Sequence, residues 1–437
     1  MPRLLTSDRL SRRRFVGRLA GAAAASLALP ALPVPGILAA ARAAPTRKRV
    51  ALLATEVRKY SHAQHFIDRL LEGYGWEGEH HRSALDLVSL YVDQFPAGDL
   101  SREREKRHGV KIHPTIAESL TLGTSKLAVD GVLIIAEHGD YPINDKGQKL
   151  YPRYKFFKEV VKVFESSGRA VPVFNDKHLS TEWGECVEML EDSRRLGFAF
   201  LAGSSLPVTW RLPSLELPLG IQLEEGLCAC YGGIDSYDIH GLEAAQCMSE
   251  RRAGGEVGVR SVQALRGARV WDTVLAREST KKLLLAALAR SHTVTPPSGY
   301  SVPVISLDHA RRVCTNPVGY FVEHLDGFRT VLLLLDGLIK DFNYAGLEKG
   351  GRVHACQMHL PMPPRMSTLA DFFNPLVHNI EETVVSGKAT YPVARTHLMS
   401  GVVLFAVESL YRGEVVLRTP ELKVAYAAPE RSAHWRV

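Results

Sequence analysis

Residues Val171–Trp210, VPVFNDKHLSTEWGECVEMLEDSRRLGFAFLAGSSLPVTW, decide the fold. Val171–Phe174 reads as a buried strand and Asn175-Asp176-Lys177-His178 as a polar turn. Ser180 and Thr181 give a helix start, with Glu182 and Glu185 in the first turns, where the helix dipole favours acids. Val187, Leu190 and Leu196 fall near helical spacing, and Arg194, Arg195 and Gly197 close the helix. Phe198–Ala202 is a second strand. A strand ending in Asp-Lys-His puts those side chains at the carboxyl edge of a sheet, where open α/β folds bind ligands. On this stretch alone, Lys177 reads as a solvated loop charge.

The same alternation runs upstream. Arg49–Thr55 (RVALLAT) has the apolar run of a first parallel strand, and His62–Glu72 is an amphipathic helix with Phe66, Leu70 and Leu71. A loop containing glycine and histidine leads to Leu85–Val92, a second strand ending at Asp93. Asp99–His108 predicts a charged helix, Lys111–Pro114 a short strand and Ile116–Leu122 a short helix. Val129–Ala136 (VDGVLIIA) is the strongest buried-strand signal and ends in Glu137-His138-Gly139-Asp140. Helix Tyr154–Ser166 then leads into the opening stretch. Strands alternating with helices predict a Rossmann-like, doubly wound parallel sheet over residues 47–205.

From Ser214 the pattern changes. Leu223–Gly232, Glu256–Leu265, Arg329–Leu335 and Arg352–Met358 read as longer strands. Helices Ile239–Arg251 and Thr280–Ala289 interrupt them, and Asn374–Val385 and Thr396–Tyr411 close the chain. This predicts an α+β domain with a large antiparallel sheet over residues 206–437, its boundary marked by Pro207, Pro213 and Pro218. Asp341-Phe342-Asn343-Tyr344 reads as a strand end and turn.

At 437 residues the chain exceeds one hydrophobic core, and two domains are expected. Its 46% hydrophobic and 23% charged residues are ordinary for a globular protein. The net charge of +7 is no argument for nucleic acid, because residues 1–43 hold Arg3, Arg9, Arg12, Arg13, Arg14, Arg18 and Arg42 against Asp8 alone, leaving about +1 elsewhere. That segment reads as a signal over residues 1–44. Paired arginines before Phe15, an Ala/Leu-rich run from Leu19 and an Ala41-Arg42-Ala43 exit predict twin-arginine export to the periplasm. No later run is long and apolar enough to span a bilayer. The cysteines at 186, 228, 230, 247, 314 and 356 show no C-x-x-C or zinc spacing and read as buried free thiols.

In the order of its elements and in its motifs the chain resembles the glucose–fructose oxidoreductase and inositol dehydrogenase family, the Gfo/Idh/MocA group. The residues carrying the likeness are Val129-Asp130-Gly131-Val132-Leu133-Ile134, Asp176-Lys177-His178 at the family's E-K-P turn, and Gly203. Ser236 to Glu243 stand at the family's D-x-G-x-H-x-x-D; Gly254-Gly255-Glu256, Val262-Gln263-Ala264 and the Pro392…Arg395-Thr396…Ser400-Gly401 ending follow. The resemblance implies NAD or NADP on the first domain and a sugar or polyol against the second. It implies that Lys177 touches substrate, that His240 moves the hydroxyl proton and that Glu243 is its acidic partner. Glu137, His138 and Asp176 would then flank the cofactor, and Asp93 would take a ribose hydroxyl. A homo-oligomer formed through the second sheet is a further expectation.

The chain departs from the family where G-x-G-x-x-G should follow the first strand: it has Thr55-Glu56-Val57-Arg58-Lys59-Tyr60-Ser61. Phosphate binding there would rest on Arg58 and on the helix start at Ser61 and His62. Tyr231, Asp235 and Tyr237 are candidates to line a sugar site. His62, His65, His138, Asp140, Asp176 and His178 gather at the same edge, but scattered histidines at strand ends are commoner as loop polarity, and no metal is assigned. Two alternatives stay open: a cofactor-free carbohydrate-binding relative, and a metal-dependent lyase or hydrolase acting on an oxidised sugar.

Overall fold

The computed structural model describes residues 47–430 apart from 368, so the expected signal lies outside the described residues. From Arg47 on the chain forms one compact unit built on two large sheets. The first has strands in the order Lys111–His113, Leu85–Val92, Lys48–Ala54, Gly131–Ile135, Val173–Asp176 and Phe200–Gly203. All neighbouring pairs are parallel. Val50–Ala54 and the whole of Gly131–Ile135 are buried, as a parallel sheet covered on both faces requires. Leu52 points into a core with Phe66 and Leu70 of helix His62–Glu72, and Leu53 into the opposite core with Phe156, Phe157 and Val160 of helix Arg153–Ser167. The helix after Lys177 runs Trp183–Leu196, with Glu182 as N-cap and Gly197 in the left-handed conformation at its end.

The second sheet has eight strands, in the order Leu417–Arg418, Val259–Arg266, Val318–His324, Arg329–Leu334, Leu223–Cys230, Phe342–Glu348, Val353–Met358 and Arg211–Leu212. It is mixed rather than antiparallel throughout, because Leu223–Cys230 pairs in parallel with Arg329–Leu334. The sequence reading missed four of its strands, the two-residue edges Arg211–Leu212 and Leu417–Arg418 and the longer Val318–His324 and Phe342–Glu348. Val318–His324 follows Pro317 and contains Gly319, two residues that weaken a strand signal. Phe342–Glu348 begins a strand where a turn was expected; its polar Asn343 is fully buried and donates from Nδ2 to Asp341 at 2.7 Å. The loop expected after His62–Glu72 is a hairpin, Tyr74–Trp76 with Glu79–His81. All six cysteines are buried and free. Among the described residues no helix is long and apolar enough to cross a membrane.

Two helices join the sheets. Asp238–Ser249 is buried along its whole length, polar residues included. Ala394–Tyr411 packs on it, on Trp183–Leu196 and on Val259–Arg266. Thr396 Oγ1 lies 2.9 Å from the Ala202 carbonyl and 2.6 Å from Glu243, sharing its one proton between them; Arg395 grips buried Glu250 with two nitrogens, at 2.9 and 2.5 Å. Gly203, the last residue of the first sheet, lies under this junction with φ +122°, and a Cβ there would stand 2.6 Å from Glu243 Oε1 and 2.7 Å from Thr396 Oγ1. Gly203→Ala is therefore expected to cost about 3 kcal/mol, since strained backbone and overpacking coincide. Gly168→Ala, also left-handed but with nothing nearby, should cost about 1 kcal/mol. Urea unfolding of both variants measures the difference, and equal losses would refute the steric account.

Candidate active site

The carboxyl ends of Gly131–Ile135 and Val173–Asp176 open into a cavity of about 280 Å³, lined among others by His62, His138, Lys177, Tyr237, His240 and Phe373. Helix His62–Glu72 brings His62 and His65 to it, and Asp238–Ser249 brings His240 from the other sheet. Phe373, just ahead of helix Asn374–Ser386, closes one side, stacked on His65 at 5.0 Å and edge-on to His62 at 5.1 Å.

The floor is a buried charge network. Lys177 Nζ lies 2.8 Å from Glu137 Oε1, and Arg153 donates to Glu137 Oε2 at 2.6 Å. Burial alone would raise the Glu137 carboxyl, but Lys177 and Arg153 outweigh it and hold it well below the usual range. Arg153 continues to His178 Nε2 at 3.1 Å, which stands 3.7 Å from Asp235 Oδ1. Lys177 is thus 5% exposed and ion-paired, and the solvated-loop reading of it is corrected: the strand delivers it beneath the second sheet's helix rather than to water.

Burial leaves His65, His138, His178 and His240 neutral. It pulls His65 and His138 down to about 3, with Arg69 adding to the first and His62 to the second. It also takes His178 and His240 well below their ordinary value, with Arg153 and Lys177 respectively reinforcing the effect. Several buried polar atoms here have no protein partner: His138 Nδ1, His240 Nδ1, His178 Nδ1 and Asp176 Oδ1. Unsatisfied groups of this kind cost about 1–3 kcal/mol each and are expected where a ligand will use them. Tyr60, His138 and Lys177, all lining the cavity, and Asp235 nearby adopt positive φ without being glycine. Such strain costs on the order of 1 kcal/mol per residue and concentrates at functional sites.

The candidates named from sequence are thus distributed unevenly. Lys177, His240, His62, Glu137, His138 and Tyr237 line one cavity. Asp176 lies behind it, accepting from His62 Nδ1 at 2.6 Å. Tyr231 is packed against Tyr237, ring centroids 5.1 Å apart. Asp235 is turned away, accepting from Gln148 Nε2 and the Lys149 amide. Glu243 is not in the lining: it accepts from the Ser204 amide and Thr396 at the junction, and burial raises its carboxyl above the ordinary value. Ser61 caps its helix by accepting from the Gln64 amide, and Arg58 pairs with Glu56 at 2.5 Å. Both carboxylate oxygens of Asp93 accept phenol hydroxyls, from Tyr91 at 2.7 Å and Tyr141 at 2.6 Å. Sequence reasoning missed Arg153, which stands one residue before the expected helix start, and Tyr151, Phe372 and Phe373, for which no local pattern exists.

No family model matches the chain, and no curated protein matches it in sequence. Solved structures do match in fold. GenD2 from gentamicin A biosynthesis, solved with NAD, aligns with a TM-score of 0.52 at 12% identity over 85% of this chain and 96% of its own. A probable dehydrogenase from Thermotoga maritima gives 0.52 at 11% identity, over 86% and 99%. Myo-inositol dehydrogenase from Lactobacillus casei, solved with NAD(H) and myo-inositol, gives 0.50 at 10% identity, over 85% and 96%. At these identities the likeness is one of fold, and the resemblance to the Gfo/Idh/MocA group holds at that level.

The Asp235 carboxyl is pushed up to about 7 by burial and by Asp238 beside it. A carboxyl raised in the folded state lends stability that is complete at low pH and is lost as pH rises through about 7. Asp235→Asn keeps an oxygen acceptor and removes the titration. The parent's melting temperature should therefore fall relative to Asp235→Asn between about pH 5 and pH 8. Parallel pH profiles for the two proteins would contradict the assignment.

Proposed function

We propose that this protein is an oxidoreductase acting on a sugar or polyol with a nicotinamide cofactor, NAD or NADP. The observation that carries the reading is that Lys177, on the parallel sheet, and a neutral His240, on the second sheet's helix, line one cavity. The fold is shared with structures that hold NAD, and in one of them myo-inositol as well. The donor set fits such a group: His138 Nδ1 and His240 Nδ1 are buried without partners beside the cavity, and the helix that starts at His62 presents its positive end there. His62, His138 and Glu137 would hold the nicotinamide half, with Arg58 and the start of helix His62–Glu72 toward the phosphates.

A bound nicotinamide supplies the two-electron acceptor. The chain's own residues do the rest. Lys177, fixed by Glu137, donates to the reacting oxygen and lowers the cost of negative charge on it. His240 accepts the hydroxyl proton on its ring, which burial keeps neutral at pH 7. Tyr237 and Phe373 provide flat faces for a sugar ring and keep water out. Export by the twin-arginine route and self-association through the second sheet are part of the same proposal, motivated by residues 1–44 and by the breadth of that sheet.

A second reading is favoured by the first loop. The amides of Arg58, Tyr60, Ser61 and Gln64 are all bonded within the loop and its helix, and Asp93 is engaged by two phenols. These internal bonds support a carbohydrate-binding relative that works without a dinucleotide.

The two are separated by denaturing the purified protein and analysing the supernatant, together with titration of NAD and NADP. The oxidoreductase reading expects released nicotinamide or saturable binding; sugar binding with neither overturns it. With a turnover assay in hand, His240→Gln should lower kcat by about 100-fold and Lys177→Met should lower kcat/KM at least as much.

A further inference from the structure

Away from the cavity, three potential metal ligands converge where the hairpin meets helix Asn374–Ser386. One ligand atom each from His81, His378 and Glu381 lies within 4.8 Å of the others. His378 and Glu381 are three residues apart and so share a helix face, while His81 comes from hairpin strand Glu79–His81. We propose that these residues form a binding site for a divalent transition-metal ion of the Zn²⁺ class, a site separate from the cavity.

The surroundings suit an ion. Glu381 is held in place by Tyr74, whose hydroxyl donates to Oε1 at 2.9 Å, and by the Ala84 amide, which donates to Oε2 at 3.0 Å. Trp76 stacks on the His378 ring at 4.3 Å and 20°, which sets its plane. Supports of this kind behind the ligands are what orient a metal site. His378 Nδ1 is buried with no protein partner, which a hydrogen-bond network alone leaves unexplained. His81 Nε2 now stands 2.8 Å from Glu381 Oε2, sharing a proton that the ion would replace. Zinc binds imidazole nitrogen and carboxylate oxygen at about 2.0–2.2 Å, so ligand atoms no more than 4.8 Å apart need shifts on the order of 1 Å, with His81 and Glu381 parting to admit the ion. Two histidines and one carboxylate leave a fourth position for water, and His81, 28% exposed at its side chain, opens the site to solvent. The ion would clamp the hairpin to the helix that follows Phe372 and Phe373, and so would stiffen one wall of the cavity.

The test uses the full chain, made without a histidine tag and dialysed against chelator. Zn²⁺ titrated by calorimetry, and Co²⁺ followed by its d–d absorption, should each bind at one equivalent per chain. His378→Gln and His81→Gln should each weaken binding by at least about 100-fold. Zn²⁺ should raise the melting temperature of the parent and not of these variants. His62→Gln, in the cavity, should bind as the parent does. The proposal is overturned if no equivalent binds, if both variants bind like the parent, or if His62→Gln is the variant that loses the ion. Should His378→Gln fail to fold, His81→Gln, on a short and partly exposed strand, carries the same comparison.

Discussion

Glu137 brings a carboxylate to a place with almost no water, where Lys177 and Arg153 reach it from two different elements. The other features of the cleft depend on this three-way contact. An isolated carboxylate there would be protonated, and an isolated ammonium or guanidinium would drive the strand end apart. Lys177 holds a left-handed conformation that a lysine otherwise avoids, and its ammonium is paired to Glu137 at the cavity wall. Removing one member of such a group generally costs several kcal/mol, because the remaining charges stay buried without compensation. The neutral histidines follow first from burial, which Lys177 reinforces at His240 and Arg153 at His178 against the opposing pull of Glu137.

A second buried pair, Arg395 with Glu250, does for the junction what Glu137 does for the cleft. Its two nitrogen–oxygen contacts lock the closing helix onto the end of helix Asp238–Ser249. Thr396 and Ser400, one and five positions further on, then reach the first sheet through Ala202 and Leu179. Lys177 follows a strand of the first sheet and His240 stands on the helix packed on the second, so their relative position is only as definite as this joint. The loop after the first strand is built differently, with its polar groups consumed internally: Arg58 by Glu56, and Asp93 by Tyr91 and Tyr141.

The parallel sheet was legible because its strands are buried on both faces, and a short continuous apolar run such as Val129–Ala136 suits little besides a strand covered from both sides. The second sheet was half legible. Leu223–Cys230 shows its burial in its residues, whereas Phe342–Glu348 reaches equal burial with an asparagine and a glycine that find partners only in the fold. Lys177 and His240 could be nominated through their place in a family pattern, but their meeting at one cavity is a property of the helix junction. Arg153 was invisible for a simpler reason. An arginine at the start of a helix is unremarkable until Glu137 and His178 are seen to bury it to 2% exposure. Phe373 belongs to a segment distant in sequence, and no local pattern could have assigned it to the first helix.

The single parallel pairing in the second sheet has a consequence for how the molecule comes into being. Glu225 faces Arg329 across that pairing and is ion-paired to it, 104 positions further along the chain. The central strand Leu223–Cys230 therefore has neither neighbour when it leaves the ribosome, since Phe342–Glu348 is synthesised later still. Closing loops of that length is entropically slow, and contacts far apart in sequence delay the folding transition. The parallel sheet, made of near-sequential units, can assemble first, while an apolar strand with both edges open waits for its partners. The interval before residues 329–348 arrive is the period in which this chain is most exposed to aggregation and most in need of a chaperone.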